Sequence, residues 1–436
     1  MDRLVNVLAV ELLEDAAGEL RGSALEWPRP DGGGQSGAGS YDLDIRGWVV
    51  GHRLRVVQLE LDEGDFQRRY PLDVKRPDVA ERFPDAEGAE ESGFSLTIST
   101  LTFPPDFDFV LRAVLRGRKT MVDIARIRGR RAPLRSRFKP RLRPVMINTL
   151  GRSGSTALAR LLHPHPQIVA YRPLDYEPRV ATYWIEVMRA LAQPTSYRLQ
   201  VTPGTVQGPW WVGPEWPVTP QGDDAETFEW MGREGAEALA TFCQSRIDAF
   251  YERYAQLAGR PDAVYFTEKF RVLTVPPLMW EIYEGAREIV LVRDFRDMIC
   301  SMLAFNAKQR AHGMPAREHS SEVDYIRAIG VGVRRLAQGW QRRAEGAHLL
   351  RYEDLVLRPT ETLEGLLGYL ELDASEEIRS AMLSSLSEQS AGLDFHRTTD
   401  SSESSIGRWR RDLSQDLQGT VEEEFGSALT ALGYEL

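Results

Sequence analysis

Chemistry in this chain concentrates in a few short runs. The stretch LGRSGSTALARLL, residues 150 to 162, sets two glycines, Gly151 and Gly154, and three hydroxyl residues, Ser153, Ser155 and Thr156, around Arg152. Such a loop can aim backbone N–H groups, hydroxyls and a guanidinium at one point, and a helix starting there adds its positive end. The ligand implied is an anion, a phosphate first of all. A second run, RDFRDMICS (293–301), places Arg293 and Ser301 eight residues apart. With the arginine ending a strand and the serine two turns along a helix, both can converge on one anion.

The elements around these runs must hold them in place. PVMINT (144–149) reads as a short buried strand, and Leu158, Leu161 and Leu162 follow at helical spacing, so the first run is strand, tight loop, helix. Residues 288–292 form a β-branched apolar strand, and the helix after RDFRD turns Ile299, Met302 and Leu303 inward. Two familiar phosphate loops are excluded. A Walker A loop requires a lysine that residues 150–157 lack, and the dinucleotide fingerprint requires a third glycine. By itself R-S-G-S-T reads equally well as a turn whose Ser155 or Thr156 caps a helix. Strand candidates at 145–150, 167–172, 263–268, 288–293 and 347–352 alternate with helical stretches, which predicts a doubly wound parallel α/β sheet. One such helix, 322–341, carries Ile326, Ile329, Val333, Leu336 and Trp340 on a single stripe. Ligands of these sheets bind beyond the carboxyl ends of the strands, where both runs lie.

In order and context the two runs resemble the cofactor motifs of sulfotransferases that use 3′-phosphoadenosine 5′-phosphosulfate (PAPS). Those motifs are a 5′-phosphosulfate loop of the form K/R-S-G-S/T-T and a 3′-phosphate motif R-D-x-R-D-x-x-x-S. Two later segments agree: RYEDLVLRPTETLEGLLGYLEL (351–372) resembles the strand and helix that follow the second motif, and SSIGRWRRDLS (404–414) resembles the late G-x-W-K/R segment. The resemblance covers residues 144–436 and implies a P-loop-like three-layer α/β/α domain. It assigns Arg152, Ser153, Gly154, Ser155 and Thr156 to the 5′-phosphosulfate and Arg293 and Ser301 to the 3′-phosphate. Tyr352 would lie near the adenine, and Gly407, Arg408 and Arg410 would close over the 3′-phosphate. The R-K-G that precedes the late segment in cytosolic relatives is here Ser402, Glu403 and Ser404, which leaves its contacts open.

Sulfuryl transfer resembles phosphoryl transfer, so positioning and cation placement should dominate, and no metal is expected. Arg152 would also serve the chemistry by neutralising the leaving phosphate. The proton acceptor is not the histidine of cytosolic relatives, because the third strand ends YFTEKF (265–270). That segment resembles the E-K of carbohydrate sulfotransferases, where Lys269 would steady the sulfuryl group. YRPLDYEP (171–178) supplies Glu177 as first choice of base and Asp175 as second, with His396 in reserve; an ion-pair role suits either carboxylate as well. The acceptor expected is a small molecule or glycan.

Composition frames this reading. A chain of 436 residues predicts two domains, and a formal charge of −10 provides no footprint for nucleic acid. Two cysteines cannot make a disulfide framework, the first twenty residues are too acidic for a signal peptide, and no apolar stretch is long enough to span a membrane. A soluble, cytoplasmic, bacterial enzyme is expected, with a homo-oligomer left open. Residues 1–130 differ in kind. YPLDV, SGFSLTIS and MVDIARI, with RVVQLEL (55–61) and FVLRAVL (109–115), read as short strands of an all-β sandwich-like domain. RGWVVG, RPDVAERFP and SGF resemble accessory β-modules on bacterial glycosyltransferases. Residues 131–143 then read as a basic linker, solvated along its length. The insert 196–235, with GPWWVGPEWP at 208–217, offers tryptophans to an acceptor or to the core, and 308–320 offers a gate or a plain surface loop. Two other functions compete: a nucleotide-binding protein without transfer activity and an ATP-dependent phosphotransferase.

Overall fold

The computed structural model describes residues 4–29, 41–62, 67–118, 121–192, 230–271, 276–312, 321–387 and 397–436. The chain divides into two compact units, residues 1–139 with 183–246, and residues 140–182 with 247–436.

Among the described residues the first unit holds eight strands: β1 (Val5–Leu12), β2 (Leu20–Trp27), β3 (Asp42–Gly51), β4 (Val56–Asp62), β5 (Gln67–Pro71), β6 (Gly93–Ser99), β7 (Asp106–Leu115) and β8 (Met121–Arg131). They form two antiparallel sheets, β1-β8-β7-β4-β5 and β2-β3-β6. Period-two alternation sets their faces. On β7, Phe107, Phe109 and Leu111 join Leu43, Ile45, Leu96 and Ile98 of the smaller sheet in one buried core. Asp106 and Asp108 face the other way, accepting from Arg130 and Arg126 across the strand pair. The two sheets therefore form a β-sandwich, to which residues 183–246 of the same unit add parts of the helices Val180–Leu191 and Gly235–Leu257. Residues 131–143 depart from a solvated connector. Arg131, 1% exposed, donates to the carbonyls of Thr100, Phe103 and Ala132, and Leu134 and Leu142 are buried. The backbone N–H groups of Arg141 and Leu142 both donate to Asp248 Oδ1. Carbonyl partners for a buried guanidinium explain how a basic stretch can be tied down.

The second unit is a five-stranded parallel sheet built from β9 (Arg143–Thr149), β10 (Ile168–Ala170), β11 (Tyr265–Arg271), β12 (Arg287–Val292) and β13 (Ala347–Arg351). The order is β10-β11-β9-β12-β13, with every neighbouring pair parallel. Both faces are covered, as a parallel sheet requires. One core packs residues of the helices Phe295–Ala311, Glu322–Arg343 and Gln415–Ala431, and the other those of Ser155–Leu162, Pro359–Leu370 and Glu376–Ser387. Ile326, Val333 and Leu336 are buried on the stripe expected, with Ile329 and Trp340 packed beside them. The result is a three-layer α/β/α domain. Because β9 lies at the centre, between β11 and β12, the loops that leave these three strands share one edge. No helix among the described residues is long and apolar enough to cross a membrane.

Candidate active site

The loop after β9 runs through two left-handed residues, Arg152 at φ 70° and Gly154 at φ 88°, before the helix Ser155–Leu162 begins. Gly154 has a reason to be glycine. A Cβ there would sit 2.5 Å from Cδ2 of Tyr352, whose ring closes over the loop. The helix has no side-chain cap at its start, so its first-turn N–H groups point out at the strand edge. Ser153 is fully buried, its hydroxyl against Met298 Sδ. Arg152 Nε donates to Ser301 Oγ at 3.1 Å, and its guanidinium lies 4.8 Å from the Phe305 ring centre. Burial, then repulsion from Arg293 and Arg408, lowers the Arg152 pKa to about 10. Three arginines here share a pocket of positive charge.

The run RDFRD assigns each residue a different task. Arg293, 5% exposed, donates through Nη1 to the Arg152 carbonyl (3.3 Å) and through Nη2 to that of Ser405 (2.7 Å), and it stacks 4.8 Å from the Tyr352 ring centre. Its Nε is buried and has no hydrogen-bond partner among the described residues. Asp294 caps the helix Phe295–Ala311 by accepting from Arg296 N. Arg296 returns to Asp294 and lies 4.3 Å from the Trp409 ring centre. Asp297 accepts from the backbone N–H of Gly407 (2.6 Å) and of Trp409 (2.9 Å). Arg408 is buried beside Thr398, to which it donates, and pairs with Asp412. Thr398 Oγ1 is 3.3 Å from Ser301 Oγ.

At the end of β11 the two halves of E-K separate. Glu268 is buried and accepts from the N–H groups of Ala181 and Thr182, the Thr182 hydroxyl and the Tyr251 hydroxyl. Burial raises its pKa, and those donors work against the rise. With four donors it is a structural anchor for the helix Val180–Leu191. Lys269 points to the phosphate loop, donating to Thr156 Oγ1 (2.9 Å) and to Glu177 Oε1 (2.7 Å). Lys269 is 7% exposed and Glu177 45%, so the carboxylate faces solvent while the ammonium does not.

The sulfotransferase family pattern matches residues 144–376, the segment that carries the loop, RDFRD and Tyr352. The chain belongs to the sulfotransferase family. It is thus a sulfotransferase, as the sequence runs predict. Solved sulfotransferases resemble it at low identity. The sulfotransferase domain from the curacin biosynthetic pathway is 16% identical with a TM-score of 0.41, over 68% of this chain and 99% of that one. Sulfotransferase STF9 from Mycobacterium avium is 15% identical with a TM-score of 0.37, over 68% and 79%. Mouse sulfotransferase SULT7A1 complexed with PAP is 11% identical with a TM-score of 0.35, over 67% and 86%. No curated protein matches the chain.

Within this sulfotransferase, Arg152, Ser153, Gly154, Arg293, Ser301, Tyr352, Gly407 and Arg408 gather around one strand edge, and Thr156, Lys269 and Glu177 adjoin it. Arg410 lies beside Gly407, its Nη1 3.1 Å from where a Cβ on Gly407 would stand. It is exposed, with its guanidinium 4.5 Å from the Trp409 ring centre. Ser155 opens the helix without capping it. Asp175 lies in the short turn Pro173–Tyr176, and its side chain falls outside the described residues, as do His396, the tryptophans of 208–217 and residues 313–320. Residue-level reading missed Asp297, Thr398 and Ser405. Asp297 carried a signal, since it is the second aspartate of R-D-x-R-D, and Ser405 lies within the run 404–414; Thr398 carried none.

Proposed function

We propose that this sulfotransferase binds PAPS with its 3′-phosphate at Arg293, Ser301 and Arg408 and its 5′-phosphosulfate at residues 152–156, and sulfates a hydroxyl of a carbohydrate, glycolipid or related bacterial metabolite. The observation that carries the reading is the cluster of Arg152, Arg293 and Arg408, with a buried Arg293 Nε that has no hydrogen-bond partner among the described residues. Buried like charges and an unmatched donor are costly unless an anion enters among them. A doubly charged phosphate fits that need. PAPS supplies a sulfuryl group already activated on a phosphate. Arg152 and the N-terminus of the helix Ser155–Leu162 neutralise charge on the leaving side. Lys269, between Thr156 and Glu177, steadies the sulfuryl oxygens, and Glu177 receives the acceptor's hydroxyl proton. Residues 1–130 serve as an accessory module to a transferase domain at 144–436.

Thermal shift distinguishes the donors. Adenosine 3′,5′-bisphosphate should raise Tm by several degrees and ATP far less. Equal shifts favour an ATP-dependent phosphotransferase, and binding without turnover favours a nucleotide-binding protein of the same fold. Mass spectrometry of products formed from PAPS and host metabolites would then identify the acceptor.

A further inference from the structure

We infer that Asp297 is a positioning residue that hangs the segment Gly407 to Trp409 over the donor site and thereby sets the preference for nucleotides carrying a 3′-phosphate. The inference rests on the donor reading above. Asp297 lies in the first turn of the helix Phe295–Ala311 and is 1% exposed. Its two oxygens are both used on backbone amides of the late segment, Oδ2 on Gly407 and Oδ1 on Trp409. Gly407 is left-handed at φ 69° and Arg408 right-handed at φ −63°, ψ −24°, a pairing that turns successive amides toward one point, so a carboxylate holding the first and third fixes the residue between them. Here that residue is Arg408. Gly407 can be held this way because it adopts φ 69°, a left-handed conformation that glycine accepts without strain.

The rest of the segment is held from the same run. Ser405 O accepts from Arg293, and Thr398 stands between Ser301 and Arg408. Arg293 and Ser301 have an anion to bind and touch the segment only on one side. Asp297 has no such duty. A carboxylate taken out of water is tolerated when two amides replace its hydration, and burial raises its pKa against the opposing pull of those amides. An asparagine keeps the shape and fails the task, since it offers one oxygen and turns an NH2 toward the second amide. The loss would fall on Arg408 and the 3′ side. The loop at 152–156, on the 5′ side, has no contact with Asp297 among those described.

Calorimetric titration of the full chain with adenosine 3′,5′-bisphosphate and with adenosine 5′-monophosphate tests this. In Asp297→Asn the bisphosphate should weaken about tenfold or more, while the monophosphate stays within about twofold. Hydrogen exchange should quicken in residues 404–412 and stay unchanged in the helix Glu322–Arg343. Asp297→Glu, which retains the charge and displaces the carboxylate, should show the same selective loss and serves if the asparagine variant does not fold. Unchanged bisphosphate affinity, or equal weakening of both ligands, overturns the assignment. A parent protein that gains nothing from the 3′-phosphate overturns the donor reading itself, an outcome visible before any variant is made.

Discussion

Arg293 is the residue on which most of the site converges. It holds two carbonyls, faces Tyr352 and keeps one buried N–H in reserve. Arg293→Ala should therefore weaken binding of adenosine 3′,5′-bisphosphate by about 2 kcal/mol or more, roughly 30-fold, by removing charge-assisted contacts to phosphate. Calorimetry showing unchanged affinity would remove the 3′-phosphate from this position. Glu177→Gln should leave nucleotide affinity intact and slow transfer about 100-fold, because a near-isostere cannot accept the hydroxyl proton. Rapid-quench turnover at saturating PAPS checks it, and normal turnover shifts attention to Asp175 or His396. Arg152, Arg293 and Ser301 were legible in the sequence because their motif neighbours stand beside them in the chain. The grip of Asp297 on Gly407 was not, since it closes over 110 residues and depends on a backbone N–H, which every residue but proline has.

The elements were legible where one face alone is buried or where strands are short, apolar and bounded by turns. All five parallel strands fall within a few residues of their expected spans, because short apolar runs bounded by turns and flanked by helical patterns stand out. Three strands of the sandwich did not stand out. On β1 the alternation fades, with Leu8 67% and Leu12 52% exposed, and on β3 nearly every residue is buried while Gly47 and Gly51 read as turn signals. The phosphate loop is the element whose backbone can be tested most directly. Gly154→Ala asks a residue with a Cβ to hold φ 88° and to occupy space 2.5 Å from Tyr352. The expected cost is about 1–3 kcal/mol, the scale of backbone strain at such positions. It should appear as a lower denaturation midpoint and a nucleotide affinity reduced in parallel. A variant as stable and as tight as the parent would mean that Tyr352 yields, and with it the argument for its close packing on the loop.

At the scale of the whole chain, two cores imply two units that can be separated. The sandwich core, from Val5 to Ile127, draws only on strands before residue 132, and its two sheets share it. A fragment of residues 1–139 should thus fold alone, with a β-type circular dichroism spectrum and one cooperative thermal transition. The reciprocal fragment, 140–436, is the more informative. Every described donor-site residue lies within 140–182 or 247–436, so binding of adenosine 3′,5′-bisphosphate should survive in it. Its stability should not survive undiminished. Residues 183–246 belong to the first unit, and the cut removes the partners of Thr241, whose hydroxyl accepts from Arg137 N and from the Ser136 hydroxyl. The helices Val180–Leu191 and Gly235–Leu257 each begin in one unit and end in the other, so the chain passes between the units again after the linker expected at 131–143. The expected result is a soluble fragment with a Tm lower by several degrees and a bisphosphate affinity within about threefold of the full chain. A fragment that folds but has lost the nucleotide would mean that the first unit contributes to the donor site, and the proposed division of labour between module and transferase would have to be redrawn.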